Sequence, residues 1–258
     1  SIVSSFILAY FNDPNVLFNL RHIYGGSDGL IFNSFASDIV ENLKNLKFLL
    51  VLRGGEDVFY FQPGMRYYVS IFKIIFGETN FGYIFLVAFF PYLIFLLFKR
   101  ITNKNIAYIL FFIFIFFPIF ESIGFGHFNY IRQAVRLHAE SLSIILLIIS
   151  IYIFFIEEDK NIKSNVSIIL IALLFSQAMF LRPNFLPTCL ILSFYLIYSN
   201  ILNKNILSKN LLFIFFLTPT LFCLIHNLYF GNEFVLFSSA SGHIFLTNNF
   251  ASLNFTEA

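Results

Sequence analysis

Charge is scarce in this chain: only 12% of its 258 residues are Asp, Glu, Lys or Arg, and the formal net charge is +2. A soluble domain of this length does not keep a wettable surface on so little charge. The basic residues are also dispersed, and a nucleic-acid partner, which calls for Lys and Arg gathered on one soluble face, is excluded. Cysteine is nearly absent. Cys189 and Cys223 both lie in apolar runs, where a thiol acts as a small hydrophobe, so neither a disulfide framework nor a metal knuckle is expected. The five histidines, His22, His127, His138, His226 and His243, form no close i, i+4 pair and no HExxH pattern, which argues against a dedicated zinc site. There is no Gly-x-Ser-x-Gly elbow and no phosphate-cradling glycine loop followed by Lys-Ser/Thr, so nucleotide hydrolysis is not indicated. Internal repeats, coiled-coil heptads and a mirrored second half with interrupted helices are all missing, which weighs against an inverted-repeat transporter.

What is present is apolar: 59% of the residues are hydrophobic, 40 are Phe, and the mean hydropathy is +0.82. Runs 106–120, 141–156, 166–181 and 211–224 contain no charge, and with their flanks they approach the ~20 residues of a spanning helix. The fold expected is an all-α polytopic transmembrane helix bundle with juxtamembrane amphipathic helices in its first external loop. Residues 1–258 read as a single membrane domain and a fragment of a longer chain, since Ser1 is not an initiator and no terminal element closes the sequence. Residues 1–11 read as the end of a first spanning helix, 12–78 as an external catalytic loop, 79–228 as transmembrane helices and 229–258 as an external loop or tail. No charged n-region leads to a small-residue cleavage site, so no signal peptide is expected.

Between residues 12 and 65 the hydropathy falls, and Asp13, Arg21, Asp28, Asp38, Glu41, Lys44, Lys47, Arg53, Glu56 and Asp57 crowd into the interval. It cannot lie unprotected in hydrocarbon. Leu30, Phe35, Ile39, Leu43 and Leu46 recur there at helical spacing, which predicts a surface-lying amphipathic helix broken by Gly54-Gly55. Pro63-Gly64 opens a second, juxtamembrane segment over 65–76, and 81–98 follows as a span. Lys99-Arg100, with Lys104, makes the next loop cytoplasmic. Alternation then places 121–140, the Arg182-Pro183-Asn184 turn and 229–258 outside, with the loops bearing Lys160, Lys163, Lys204 and Lys209 inside. The polar first loop, the 121–140 loop and Arg182 therefore share the external face.

On that face Asp28 lies among Gly25, Gly26 and Gly29, where a partly desolvated carboxylate on open backbone suits a general base; an Asx turn is the plain alternative. Glu56 and Asp57 neighbour Phe59, Tyr60, Gln62, Arg66 and Tyr67, the mixture that binds a sugar, although interfacial packing explains the aromatics equally well. Arg132, Arg136 and Glu140 stand at i, i+4 and i+8, so a helix over 129–140 presents them on one face. Forked donors there suit a lipid-borne phosphate; a helix-end ion pair or contact with anionic head groups is the alternative. Arg182 ends an apolar run, where snorkelling alone accounts for it. No cofactor is required, though Asp28 with Glu56 or Asp57 offers oxygen ligands suited to a divalent cation such as Mg²⁺ or Mn²⁺.

Gly26-Ser27-Asp28-Gly29 with Phe32, Ala36 and Ile39, then Gly55-Glu56-Asp57, Phe61-Gln62-Pro63-Gly64 and Phe76-Gly77-Glu78, resemble the GT-C class of membrane glycosyltransferases, which contains the protein O-mannosyltransferase and aminoarabinose transferase families. Arg132 to Glu140, Arg182-Pro183-Asn184 and His226-Asn227 to Phe237 are similar to later blocks of bacterial members. The resemblance implies transfer of a sugar from a polyprenyl-phosphate donor to a hydroxyl of a lipid, glycan or protein acceptor, usually with inversion. It places the site on the periplasmic side of a bacterial inner membrane, in the building of a cell-envelope glycan. Asp28 matches the acid of the first external loop. Gly29 stands where the commonest form carries a second acid, leaving Glu56 or Asp57 to supply it. The competing readings are a lipid-linked glycan flippase and an O-antigen polymerase or ligase.

Overall fold

The computed structural model describes residues 2–12, 27–116, 126–158, 165–202 and 206–239. Gly25, Gly26, Glu121, Lys160, Lys163, Lys204 and the tail from residue 240 lie outside them. Among the described residues all regular structure is helical and no strand occurs. Two helical stretches, Phe81–Ile101 and Ala139–Glu157, are long and apolar enough to cross a membrane; Ile2–Phe11, Lys104–Phe116, Val166–Leu181 and Phe216–Gly231 are apolar but shorter.

The chain opens with α1 (Ile2–Asn12) and, after the first polar stretch, α2 (Ser27–Lys44). The buried stripe of α2 is Phe32, Ala36, Ile39 and Val40, while Leu30 and Leu46 are exposed, so the expected apolar face is rotated. Ala36 explains the shift: its small side chain lets α2 pack closely on α4 (Gly64–Phe76), and Phe35 turns instead onto Arg66. The helix also ends earlier than Gly54-Gly55. Leu46 adopts the left-handed conformation at φ 56°, its N–H donates to Leu43 O at 3.0 Å, and Lys47 N–H donates to Asn42 O at 2.9 Å. This double-bonded cap terminates α2 without glycine. Gly54, at φ 61°, ends instead the short α3 (Phe48–Arg53), none of whose residues is buried.

Helices α5 (Phe81–Val87) and α6 (Phe90–Ile101) form one stretch interrupted at Ala88–Phe89, just ahead of Pro91, which has no N–H to give to the helix ladder. Then follow α7 (Lys104–Phe116), α8 (His127–Val135), α9 (Ala139–Glu158), α10 (Asn165–Leu181), a 3-10 turn at Pro183–Phe185, α11 (Leu186–Leu202) and α12 (Ile206–Gly231). One buried core joins α2, α4, α5, α8 and α9; another joins α9, α10 and α11. Outward faces stay apolar, with Phe112, Phe116, Ile191 and Phe194 all exposed.

Two contacts fix the ends of the bundle. Arg100, at the end of α6, donates to Phe155 O near the end of α9 at 3.1 Å. At the opposite end Arg182, just after α10, meets Glu140, in the first turn of α9, at 2.7 Å. The start of α4 joins that second end, because Gly64 is packed so closely on Phe180 that an added Cβ would lie 2.5 Å from the Phe180 carbonyl oxygen.

Candidate functional site

The end of the bundle marked by Arg182 and Glu140 carries two polar clusters. The first is built where α8 gives way to α9. Arg136 caps α8, Leu137 takes the left-handed conformation at φ 57°, and the N–H groups of Leu137 and His138 donate to Ala134 O at 2.9 Å and Gln133 O at 3.1 Å. This corrects the expectation of a continuous helix over 129–140. Arg132, Arg136 and Glu140 share no single helix face, since the turn at Leu137 re-aims the chain between them. Glu140 faces α10 instead, with Oε1 2.7 Å from Arg182 Nη2 and Oε2 3.9 Å from His138 Nδ1. Asp28, half-buried in the first turn of α2, completes the group: it and Glu140 both act electrostatically to favour His138's proton. Burial opposes them and outweighs them, and Arg136 and Arg182 add to its effect, so the ring titrates below its ordinary range. Arg136 is held below its usual value by burial and then by the neighbouring Arg132, whose side chain is exposed.

The second cluster closes the 53–63 loop. Arg66 is fully buried and donates to Gly54 O at 2.7 Å, Glu56 Oε2 at 3.1 Å and Phe61 O at 3.4 Å. Its guanidinium lies 4.2 Å from the Phe35 ring centroid and 5.2 Å from that of Phe59. Burial works against this charge, and the Glu56 carboxylate works to keep it. Glu56 also accepts from Tyr60 N–H at 2.9 Å. Asp57 pairs with Arg53 at 2.8 Å, both half in the open. Gln62 is buried, its Oε1 3.9 Å from Cys223 Sγ. Neither Arg66 nor Gln62 thus reaches an open surface, and Arg66's fork is committed to holding its own loop.

The far side of the loop is clasped by α12. His226 stacks on Phe59 with ring centroids 3.6 Å apart, and its Nε2 lies 3.0 Å from Arg53 O. Asn227 accepts from Phe59 N–H at 3.0 Å and donates to Val235 O at 2.9 Å and Phe237 O at 3.3 Å. Beside these clusters an apolar cavity of about 440 Å³ opens among Tyr67, Tyr68, Gln177, Phe180, Pro219 and Phe222, with Tyr68 Oη donating to Gln177 Oε1 at 3.2 Å.

The structure therefore pairs Glu140 with Arg182, sets Asp28 and Arg136 within electrostatic reach of His138 beside them, and holds Glu56, Asp57, Gln62 and Arg66 apart in the loop closure. A divalent site on Asp28 with Glu56 or Asp57 is not assembled. Each of the latter faces an arginine, and among the described residues no group of three His, Cys, Asp or Glu side chains converges. Sequence reasoning gave His138 no role and noted His226-Asn227 only within a block of family resemblance. His138 is two residues from Glu140, a spacing that brings side chains together only where a helix has ended. No known protein family matches this chain, and neither does any curated protein or solved structure.

Proposed function

We propose that this chain is the membrane portion of a polytopic GT-C-like glycosyltransferase, which moves a sugar from a polyprenyl-phosphate donor to an acceptor hydroxyl on the external face of a bacterial inner membrane. The observation that carries the reading is the convergence of Asp28, Glu140, Arg182 and Arg136 from four separate segments at one end of an apolar bundle. Acids next to arginines at a membrane boundary are what such a transfer needs: carboxylates to support removal of the acceptor's proton, guanidinium forks to take the phosphate that leaves. Arg132 and Arg136 stand nearest the open surface and are assigned to the phosphate. The apolar cavity beside Phe180, within the size range of small-molecule sites, suits the first units of the carrier chain.

The exposed apolar faces of α3, α7 and α11 support the membrane setting, because a water-facing surface of that character is rare. A flippase needs charges along a path through its spans. The two spanning-length stretches carry theirs only near their ends, at Lys99, Arg100, Glu140 and Glu157. Proteoliposomes loaded with labelled undecaprenyl-phosphate sugars test the reading. New glycosidic product is expected, and Asp28→Asn is expected to lower its rate at least tenfold. Label that crosses the bilayer without forming product identifies a flippase and overturns the proposal.

A further inference from the structure

One carboxylate links an arginine to a histidine in the first cluster. Glu140 Oε1 pairs with Arg182 at 2.7 Å, and its Oε2 lies 3.9 Å from His138 Nδ1, beyond hydrogen-bond reach but close enough to act on the ring by charge. Its backbone is pinned as well: His138 N–H donates to Gln133 O, and His138 O accepts from the Tyr83 hydroxyl at 2.7 Å. The ring is delivered by Leu137, a buried non-glycine residue in the left-handed region, a conformation costing on the order of 1 kcal/mol that native structures keep where the local geometry is needed. The opposite nitrogen, Nε2, is buried and has no hydrogen-bond partner among the described residues. Leaving such an atom unpaired costs on the order of 1–3 kcal/mol, and a hydroxyl brought to it would recover that cost.

We infer that His138 Nε2 is the atom that takes the proton from the acceptor hydroxyl, with Glu140, itself held by Arg182, and Asp28 stabilising the imidazolium that forms. This rests on the glycosyl-transfer reading above. The carboxylate 3.9 Å from Nδ1 favours the protonated ring by charge, and Nε2 is the buried ring nitrogen with no partner among the described residues, so proton uptake is assigned to it. Burial keeps the ring neutral near pH 7, the form a base requires. Asp28 occupies the first turn of α2, where a negative charge complements the helix dipole and can face a new cation. In the step, the acceptor oxygen bonds to the anomeric carbon as its proton passes to Nε2. The bond from that carbon to the carrier phosphate breaks, and its electron pair leaves with the phosphate toward Arg132 and Arg136. The imidazolium then returns its proton to water. The charged groups facing the ring are Asp28 from α2, Arg136 from the α8 cap, Glu140 from α9 and Arg182 after α10, so the partner acid of Asp28 sought in the first loop is replaced by a base from the α8–α9 turn.

The test uses the full chain in proteoliposomes, with a panel of tritiated undecaprenyl-phosphate pentoses and hexoses and pH–rate profiles from pH 5 to 9. Wild-type activity is expected to fall on the acid side with an apparent pKa below about 6.5. His138→Gln is expected to lose about a hundredfold in kcat, to keep its donor KM, and to lose that acid limb. His138→Ala is expected to regain activity when free imidazole is added, which a purely structural role would not allow. Activity in His138→Gln with the wild-type acid limb, or His138→Ala that imidazole does not restore, overturns the inference while leaving the transferase reading intact. Wild-type protein that turns over none of the panel overturns both.

Discussion

Arg66 Nη2 meets Glu56 Oε2 at 3.1 Å inside the protein, with the Phe35 ring laid against the guanidinium. The pair was legible in the sequence as part of a sugar-binding mixture, yet its geometry is that of a rivet. Removing Arg66 leaves Glu56, Gly54 O and Phe61 O without their buried donor. Arg66→Ala is therefore expected to cost about 3–5 kcal/mol, read as a large drop in melting temperature of the detergent-purified protein. Arg66→Lys should recover less than half of that, since a single ammonium cannot serve three acceptors in the fork's plane. Unchanged melting in Arg66→Ala would show that the loop closes without it.

Asn227 holds the same loop from the other side, and the identity of its amide matters more than its size. Asn227→Asp keeps an acceptor for Phe59 N–H but loses both donors and sets a charge against Val235 O and Phe237 O. We expect it to destabilise at least as much as Asn227→Ala, by about 2–4 kcal/mol. Limited proteolysis should show faster cutting within 54–63 in both variants.

Gly64→Ala probes the contact between α4 and α10. The new methyl would lie 2.5 Å from Phe180 O and 2.7 Å from Phe180 C, and backbone atoms do not rotate aside as a side-chain end does. A loss of about 1–3 kcal/mol is expected by thermal unfolding, and a neutral result would mean that the helices separate freely.

His127 supplies a pH test independent of catalysis. Its ring is buried, Nε2 lies 3.5 Å from Ser5 Oγ, and burial pushes its pKa down to about 4. The folded value lies below the unfolded one of about 6.5, so the unfolded chain binds the proton first as pH falls. Its contribution is full above pH 6.5 and is lost between there and about 4, by roughly 2–3 kcal/mol at the acid end. His127→Gln should flatten stability over that window in melts at pH 7.5 and 4.5.

Helix positions were legible because uncharged runs and breakers marked them. Gly77 closes α4, Arg182-Pro183-Asn184 separates α10 from α11, and the shared end expected for Arg182 and Glu140 is realised as their ion pair. Two helix ends were not legible, since Leu46 and Leu137 occupy left-handed caps where glycine is the usual signal. The second of these hid His138 and made 129–140 look like one helix. The fate of Glu56 was hidden for another reason: an acid, an aromatic group and a cation read alike whether they bind a sugar or one another, and only the complete burial of Arg66 separates the two.

The clasp of His226 on Phe59 and Arg53 has a consequence for biosynthesis. The hydrogen bond to Arg53 spans 173 residues of chain, so the loop leaves the ribosome long before the helix that secures it. At about 5–20 residues per second that gap is roughly 10–35 s. Throughout it Phe59 and the Arg53 carbonyl wait without their partners on α12, and the arrival of α12 becomes the event that commits this end of the bundle to its finished shape.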